Sequence, residues 1–367
     1  MRKIIKNLYN NDIVFTSLGG VSEVGATSHY IIWKGTKIII DAGMRRNIEF
    51  KDDLFENRKL PEFDEIDEKI DYILITHPHY DHIGSLPIYS EKISDAKIIM
   101  SKEALEITKI MIKDTRKILK KDKNRESKWL KPFYETNVLK RLYNKIITID
   151  FNEEYFLKIL KLKLFPTAHT LGSAAIFLYD NTYKLLHTSD FVYKEMFIHR
   201  NTHFFDLNNI DTLIIESTYA SHKSKSKNYK EILEELKIFI NKILENNGSI
   251  LIPVFSLARG QEVIAAINLL KKQSYLKKGI PVYVLGKLFH EINMVYDIKL
   301  EDKIKNRKIK PLSKSYTYID SIERFFPKPG SITIATSAML NSYTPSYQLL
   351  PKFLNAPNGI IFVSYQS

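Results

Sequence analysis

The segment Thr76-His77-Pro78-His79-Tyr80-Asp81-His82-Ile83-Gly84 constrains this chain more than any other feature. It follows directly on DYILIT (71–76), a run of β-branched and aromatic residues that reads as a strand. Imidazole and carboxylate donors together suit borderline divalent ions such as zinc. His77, His79, Asp81 and His82 are too close in sequence to face one ion comfortably, but they can serve two adjacent ions. The competing reading is a polar loop with surface histidines. Burying three imidazoles and a carboxylate with no cation would be costly. The chain has no cysteine, so disulfide and thiolate chemistry are excluded and any metal must rest on His, Asp or Glu.

Around this segment the first half reads as short strands: IVFTSL (13–18), HYIIW (29–33), KIIID (37–41), KLKLF (161–165), AAIFLY (174–179) and KLLHTSD (184–190). Gly19-Gly20, Gly25 and Gly43 mark turns, and a helical stretch starts near residue 101. The texture changes near residue 210. TLIIES (212–217) reads as a strand, and a helix across 228–246 carries Ile232, Leu236, Phe239 and Ile243 at helical spacing, stopped by Asn246-Asn247-Gly248. SILIPVF (249–255), VYVLG (282–286), SITIATS (331–337) and GIIFV (359–363) read as strands, with a further helix starting near Arg259. Strands alternating with helices predict an α/β unit with a largely parallel sheet.

No apolar run is long enough to cross a bilayer, and MRKIIKNLYN lacks the apolar core of a secretory signal. A cytoplasmic protein with no membrane partner is therefore expected. The net charge of +13 has two readings: lysine-rich composition of the source, or a polyanionic partner.

The 76–84 segment resembles the HxHxDH signature of the metallo-β-lactamase superfamily. Asp41 in KIIIDAG, His169 in FPTAHTLGSA and Asp190 in LLHTSDF match that family's other motifs in order and spacing. The resemblance implies an αββα sandwich in which His77, His79 and His169 bind one metal and Asp81 and His82 the other. Asp190 then bridges the two, and Asp41 orients the ligand histidines. Glu216-Ser217-Thr218-Tyr219 and FSLARGQE (255–262) resemble elements of the β-CASP branch, metallo-β-lactamase-fold nucleases acting on RNA or DNA. Ala258 and Gly260 depart mildly from the second element; ATSAML (335–340) and IIFVSYQ resemble later ones. The ESTY form is most similar to the nuclease subunit of the cleavage and polyadenylation specificity factor and its archaeal relatives. The implied architecture is a metallo-β-lactamase domain over 1–208 and an inserted α/β β-CASP domain over 209–367.

The implied function is metal-dependent hydrolysis of RNA by a two-metal hydroxide mechanism, with two Zn²⁺ as cofactors. Asp81, Asp190 and Glu216 are its catalytic candidates. Ser217, Thr218, Lys223, Lys225, Lys227 and Arg259 are candidates for holding substrate. Single-stranded RNA is the expected partner, with DNA as the alternative, and a homodimer or a processing complex as the expected assembly. Residues 109–145 carry thirteen Lys or Arg against four Asp or Glu, with Trp129, Phe133, Tyr134 and Tyr143 interleaved. They suit either phosphate and base contact or a solvated helical face whose aromatics pack inward.

Relatives return from the inserted domain with two further histidines, whereas this chain stops at Ser367. His29, His187, His199, His203, His222 and His290 match no such motif, so the second metal is expected to be short of a ligand, as in a truncated piece or a natural short form. The competing functions are a non-catalytic subunit that binds RNA or proteins, and a small-molecule hydrolase; the ESTY-bearing second half argues against the latter. If Lys223, Lys225 and Lys227 meet phosphates, changing all three to Gln will weaken RNA binding and flatten its salt dependence. An unchanged salt slope in binding titrations would reduce them to a solvated face.

Overall fold

A computed structural model describes residues 4–6, 13–21, 23–45, 60–62, 69–121, 125–199, 207–220, 227–300 and 310–364. By packing, these fall into two units, 4–192 with 207–220 and 193–199 with 227–364. The expected division at 208/209 differs from this grouping in two short segments.

The first unit is built on two sheets. Seven strands run in chain order across the first: β1 (Ile4–Lys6), β2 (Ile13–Gly19), β3 (Ser28–Trp33), β4 (Thr36–Ile40), β5 (Tyr72–Leu74), β6 (Lys97–Ser101) and β7 (Ile146–Ile149). β1 to β4 pair antiparallel and β4 to β7 parallel. The second sheet holds β8 (Tyr155–Leu157), β9 (Leu160–Pro166), β10 (Ala174–Tyr179), β11 (Lys184–His187) and β12 (Thr212–Ile214), in the order β12-β11-β10-β9-β8.

The period-2 alternation of strands decides the layering. On β4, Ile38 and Ile40 join Trp33, Leu74, Leu162, Leu164 and Ile176 in one core drawn from both sheets. Ile39, between them, faces a second core with Ile73, Leu86, Tyr89, Ala104, Ile112, Tyr134 and Leu142. Helices α1 (Tyr80–Ile83), α2 (Leu86–Lys92), α3 (Lys102–Lys121), α4 (Arg125–Leu130) and α5 (Thr136–Asn144) follow this face of the sheet in the chain. Trp129, Phe133 and Tyr143 pack against that core, and Tyr134 is buried within it, donating to Gly84 O at 2.9 Å. Of the two readings of the basic stretch, its aromatics follow the inward one.

The second unit is an α/β layer. β13 (Ile250–Pro253), β14 (Val282–Leu285), β15 (Thr317–Ile319), β16 (Ile332–Ala335) and β17 (Gly359–Ile360) form an all-parallel sheet in the order β15-β14-β16-β13-β17. Its central strands are buried on both faces, as ILIP and ITIA suggest. Helix α6 (Tyr229–Leu244) starts with a capping box: Asn228 accepts from the Glu231 N–H while the Glu231 side chain caps back. Helices α7 (Arg259–Lys272) and α8 (Lys287–Lys299) follow β13 and β14.

Glu262 on α7 explains why 193–199 groups with this unit. Its buried carboxylate accepts from the backbone N–H groups of Phe197, Ile198 and His199 and lies 2.7 Å from His199 Nδ1. Burial alone would raise its pKa, but the hydrogen bonds and charge of His199 and the backbone donors hold it below the ordinary 4.5. A depressed carboxylate pKa stabilises the fold above the unfolded value, and that contribution is lost as pH falls through the folded value. Glu262→Gln should therefore cost about 2–4 kcal/mol near neutral pH in urea melts, as expected when a buried charged partner is removed. The gap to wild type should narrow below pH 4.5; a gap that is constant with pH would refute the assignment.

Candidate metal centre

Asp41 directly follows β4 in a left-handed conformation, φ 65°, and is fully buried. Its Oδ1 accepts the Thr76 N–H at 2.8 Å, and its Oδ2 accepts the Thr76 hydroxyl at 2.7 Å and lies 2.8 Å from His82 Nδ1. This one carboxylate joins the end of β4 to the histidine loop after β5. His77 and His79, two apart in the chain, bring Nε2 of the first within 3.0 Å of Nδ1 of the second. A single helical turn, α1, then brings His82 back, its N–H bonding His79 O.

Tautomers follow from these contacts. The Thr76 hydroxyl donates to Asp41, so it is free to accept from His77 Nδ1 at 3.1 Å, which leaves His77 Nε2 as the outward atom. His77 Nε2 and His169 Nε2 lie 3.0 and 3.1 Å from His79 Nδ1. Nitrogens bound tetrahedrally to zinc at about 2.0–2.1 Å are about 3.3–3.4 Å apart, so this trio is already close to a ligand arrangement.

His169 sits in the β9–β10 loop, which folds around the Ser173 hydroxyl. That oxygen accepts the N–H groups of His169 and Thr170 and donates to Thr170 O. Asp190 follows β11, and its Oδ2 lies 3.6 Å from His169 Nε2 and 3.9 Å from both His77 Nε2 and His82 Nε2. Two donor groups result, His77–His79–His169 and His77–His82–Asp190, each able to hold a metal ion. Asp81 falls outside both, its Oδ2 4.0 Å from His82 Nε2. The side chains of His77 and His82 are 0 and 4% exposed, those of Asp190 and Asp81 36 and 27%, so the cluster is walled on one side and open on the other.

The charge balance also suits a cation. Burial and the neighbouring imidazoles hold His77 well below its usual pKa and bring His169 down to about 3, so both present neutral lone pairs. Burial acts against a charge on His82 too, yet Asp41, Asp190 and Asp81 raise it to about 10. The carboxylates that favour positive charge on His82 would also favour a divalent ion beside it.

The remaining candidates are divided between the two units. Glu216 takes its N–H to the Thr188 hydroxyl and turns its carboxylate onto the Thr218 N–H at 2.9 Å. Ser217 and Thr218 are exposed in the first unit, and Arg259 is exposed in the second. Lys227 is paired with Glu235 at 2.5 Å. Lys223, Lys225, His203 and His222 lie outside the described residues. Sequence reasoning passed over Thr76, Ser173, Ser189 and Gly43. The available signal was that three are small hydroxyl residues inside or beside the motifs.

Residues 23–238, more than half of the chain, match the metallo-beta-lactamase superfamily. The chain belongs to this superfamily and to its β-CASP branch. It is 28% identical to "Probable RNase MJ4" of Methanocaldococcus jannaschii over 97% of the chain and 79% of that protein. It is likewise 28% identical to "Endoribonuclease ysh-1" of Neurospora crassa, over 97% of the chain and 43% of that protein. "Integrator complex subunit 11" of Danio rerio is 28% identical over 96% of the chain and 59% of its own length. The chain thus spans about half the length of these eukaryotic relatives. In fold it resembles the crystal structure of a protein of unknown function from Enterococcus faecalis V583, with TM-score 0.57, 14% identity, and 96% and 87% of the two chains covered.

Gly43 sets a steric test. A Cβ there would stand 1.7 Å from Asp81 O and 2.5 Å from Thr27 N. Gly43→Ala should displace the Asp81–His82 turn, lowering both bound metal and melting temperature. Gly279→Ala, where a Cβ meets nothing within 4 Å, should change neither. Elemental analysis and thermal melts check both variants; full metal content in Gly43→Ala would show that the turn can yield.

Proposed function

We propose that this protein is a zinc-dependent ribonuclease that hydrolyses phosphodiester bonds of single-stranded RNA in the cytoplasm, using two metal ions. The observation that carries this reading is the pair of donor groups sharing His77, with Asp190 Oδ2 3.6–3.9 Å from three imidazole nitrogens. The relatives named as ribonucleases, archaeal and fungal alike, support RNA as the substrate.

In this reading His77, His79 and His169 would hold one ion and His82, with Asp81 beside it, the other, and the Asp190 carboxylate is near the imidazoles of both groups. Bound there, zinc lowers the pKa of water to near neutrality and offsets charge developing on a phosphoryl oxygen. The protein supplies the geometry. Thr76 holds the His77 Nδ1 proton away from the ion, and Asp41 does the same for His82. The Glu216 N–H is tied to the hydroxyl of Thr188, two residues before Asp190 in the chain, and we assign Glu216 a part in arranging the catalytic edge. Ser217, Thr218, Arg259 and the lysines at 223 and 225 are assigned to the RNA backbone. Lys227 would first have to leave Glu235. The Integrator relative is named as a complex subunit, which supports assembly into a larger processing complex.

Labelled RNA and DNA incubated with zinc-loaded protein test the reading. RNA should be cut and DNA spared. A chelator should stop the reaction, added zinc should restore it, and His77→Ala should lose both zinc and activity. Asp41→Asn should lower zinc affinity or activity by about 10- to 100-fold, the usual effect of removing a ligand's hydrogen-bond partner. Cleavage that persists after verified removal of metal would overturn the mechanism.

A further inference from the structure

Two histidines outside the donor groups form a buried pair. His29 on β3 and His187 at the end of β11 are 8 and 4% exposed, with His29 Nδ1 2.8 Å from His187 Nε2. His187 Nδ1 lies 3.1 Å from the backbone nitrogen of Ser189. A backbone N–H can only donate, so His187 Nδ1 is an acceptor and carries no proton. The ring proton is then on His187 Nε2 and is donated to His29 Nδ1. His29 keeps its own proton on Nε2, which meets no partner among the described residues. Burial and neighbouring positive charge keep both rings neutral, bringing His29 to about 4 and His187 well below the usual range. One tautomer of each ring satisfies both contacts.

Ser189 is held in the left-handed region, φ 55°, at the point where the chain leaves β11. The hydrogen bond from its N–H back to the side chain two residues earlier closes that turn as an Asn or Asp side chain would. From this turn Ser189 Oγ reaches His77 Nδ1 at 3.3 Å, and the next residue presents Asp190 to three imidazoles. An apolar pair would fill the same core space without leaving a buried donor unpaired, and burying such a donor costs about 1–3 kcal/mol.

We infer that His187, its tautomer fixed by His29, is a positioning residue for the metal centre, holding the Ser189 turn that aims Asp190 and supports His77. The inference rests on the metal-centre reading above. It makes His187→Asn a conservative change, because the Asn Oδ1 can accept the Ser189 N–H in a side-chain-closed turn. His187→Leu keeps the bulk and removes the acceptor. His29→Leu keeps His187 but frees its proton to move to Nδ1.

The experiment combines zinc affinity, by competition with a chromophoric chelator, and hydrogen exchange of the Ser189 amide in metal-free protein. Nitrogen-15 shifts of the His187 ring report the tautomer directly. We expect zinc affinity to fall about 10- to 100-fold in His187→Leu, as when other residues that orient metal ligands are lost. It should fall less in His29→Leu and stay within about threefold of wild type in His187→Asn. The Ser189 amide should be protected in wild type and His187→Asn and exposed in His187→Leu. Should His187→Leu not fold, His29→Leu carries the test through the ring shifts, which should move toward the Nδ1-protonated form. Equal losses in the Leu and Asn variants, or a protected Ser189 amide in His187→Leu, would overturn the inference. Wild-type protein that binds no zinc would overturn the metal-centre reading instead, with the amide and ring measurements still deciding whether His187 holds the turn.

Discussion

The Asp41 carboxylate is the contact on which the rest of the first unit's chemistry depends. It is fully buried and accepts three donors: the Thr76 N–H, the Thr76 hydroxyl and His82 Nδ1. A buried carboxylate so placed does two things at once. It ties the parallel strands β4 and β5 together just beyond their last paired residues, and it fixes which nitrogen of His82 faces outward. The Ala42 N–H bonds His82 O and the Thr27 N–H bonds Asp81 O, so the turn carrying two donors is also pinned through its backbone. An acceptor with this much demand on it cannot move without moving the site.

Much of this was legible in the sequence because it is carried by local pattern. The β-branched and aromatic runs at 29–33 and 37–41 and the apolar run at 174–179 form strands, and the 228–246 periodicity forms α6 between Tyr229 and Leu244. His77, His79, His82, His169 and Asp190, which come from separate motifs, are brought within reach of one another. Legibility failed where a residue's role is set by distant chain. Ser173 reads as an ordinary loop serine until the loop closes on its hydroxyl. Gly43 reads as a turn glycine, yet what it must clear is Asp81, nearly forty residues on. Strands β6 and β7 escaped notice because Lys97–Ser101 and Ile146–Ile149 border long helices in sequence.

The basic charge divides along similar lines. Composition alone cannot separate a polyanion partner from surface bias, whereas packing can for some residues. Trp129, Phe133 and Tyr143 spend their faces on the core, so the 109–145 stretch offers lysines without free stacking platforms. Several cations are also already matched, Arg141 by Glu91 and Lys102 by Asp150. Surface pairs of this kind contribute little stability, about 0–1 kcal/mol, but they lower the local positive field that RNA would meet.

The donor-bearing segments share one further property, which links the fold to its chemistry. Asp41, Ala168 and Ser189 all lie in the left-handed region, with φ of 65°, 58° and 55°. The first is the residue that orients His82; the others immediately precede His169 and Asp190. None is glycine, and such conformations cost about 1–3 kcal/mol each. Each is offset by hydrogen bonds on the spot: Thr76 on Asp41, Ser173 on the His169 N–H, and His187 on the Ser189 N–H. A relaxed backbone at these points would carry each strand onward along the sheet. Bending it sharply, at a cost shared by neighbouring side chains, is what turns strand ends from separate sheets toward a common centre.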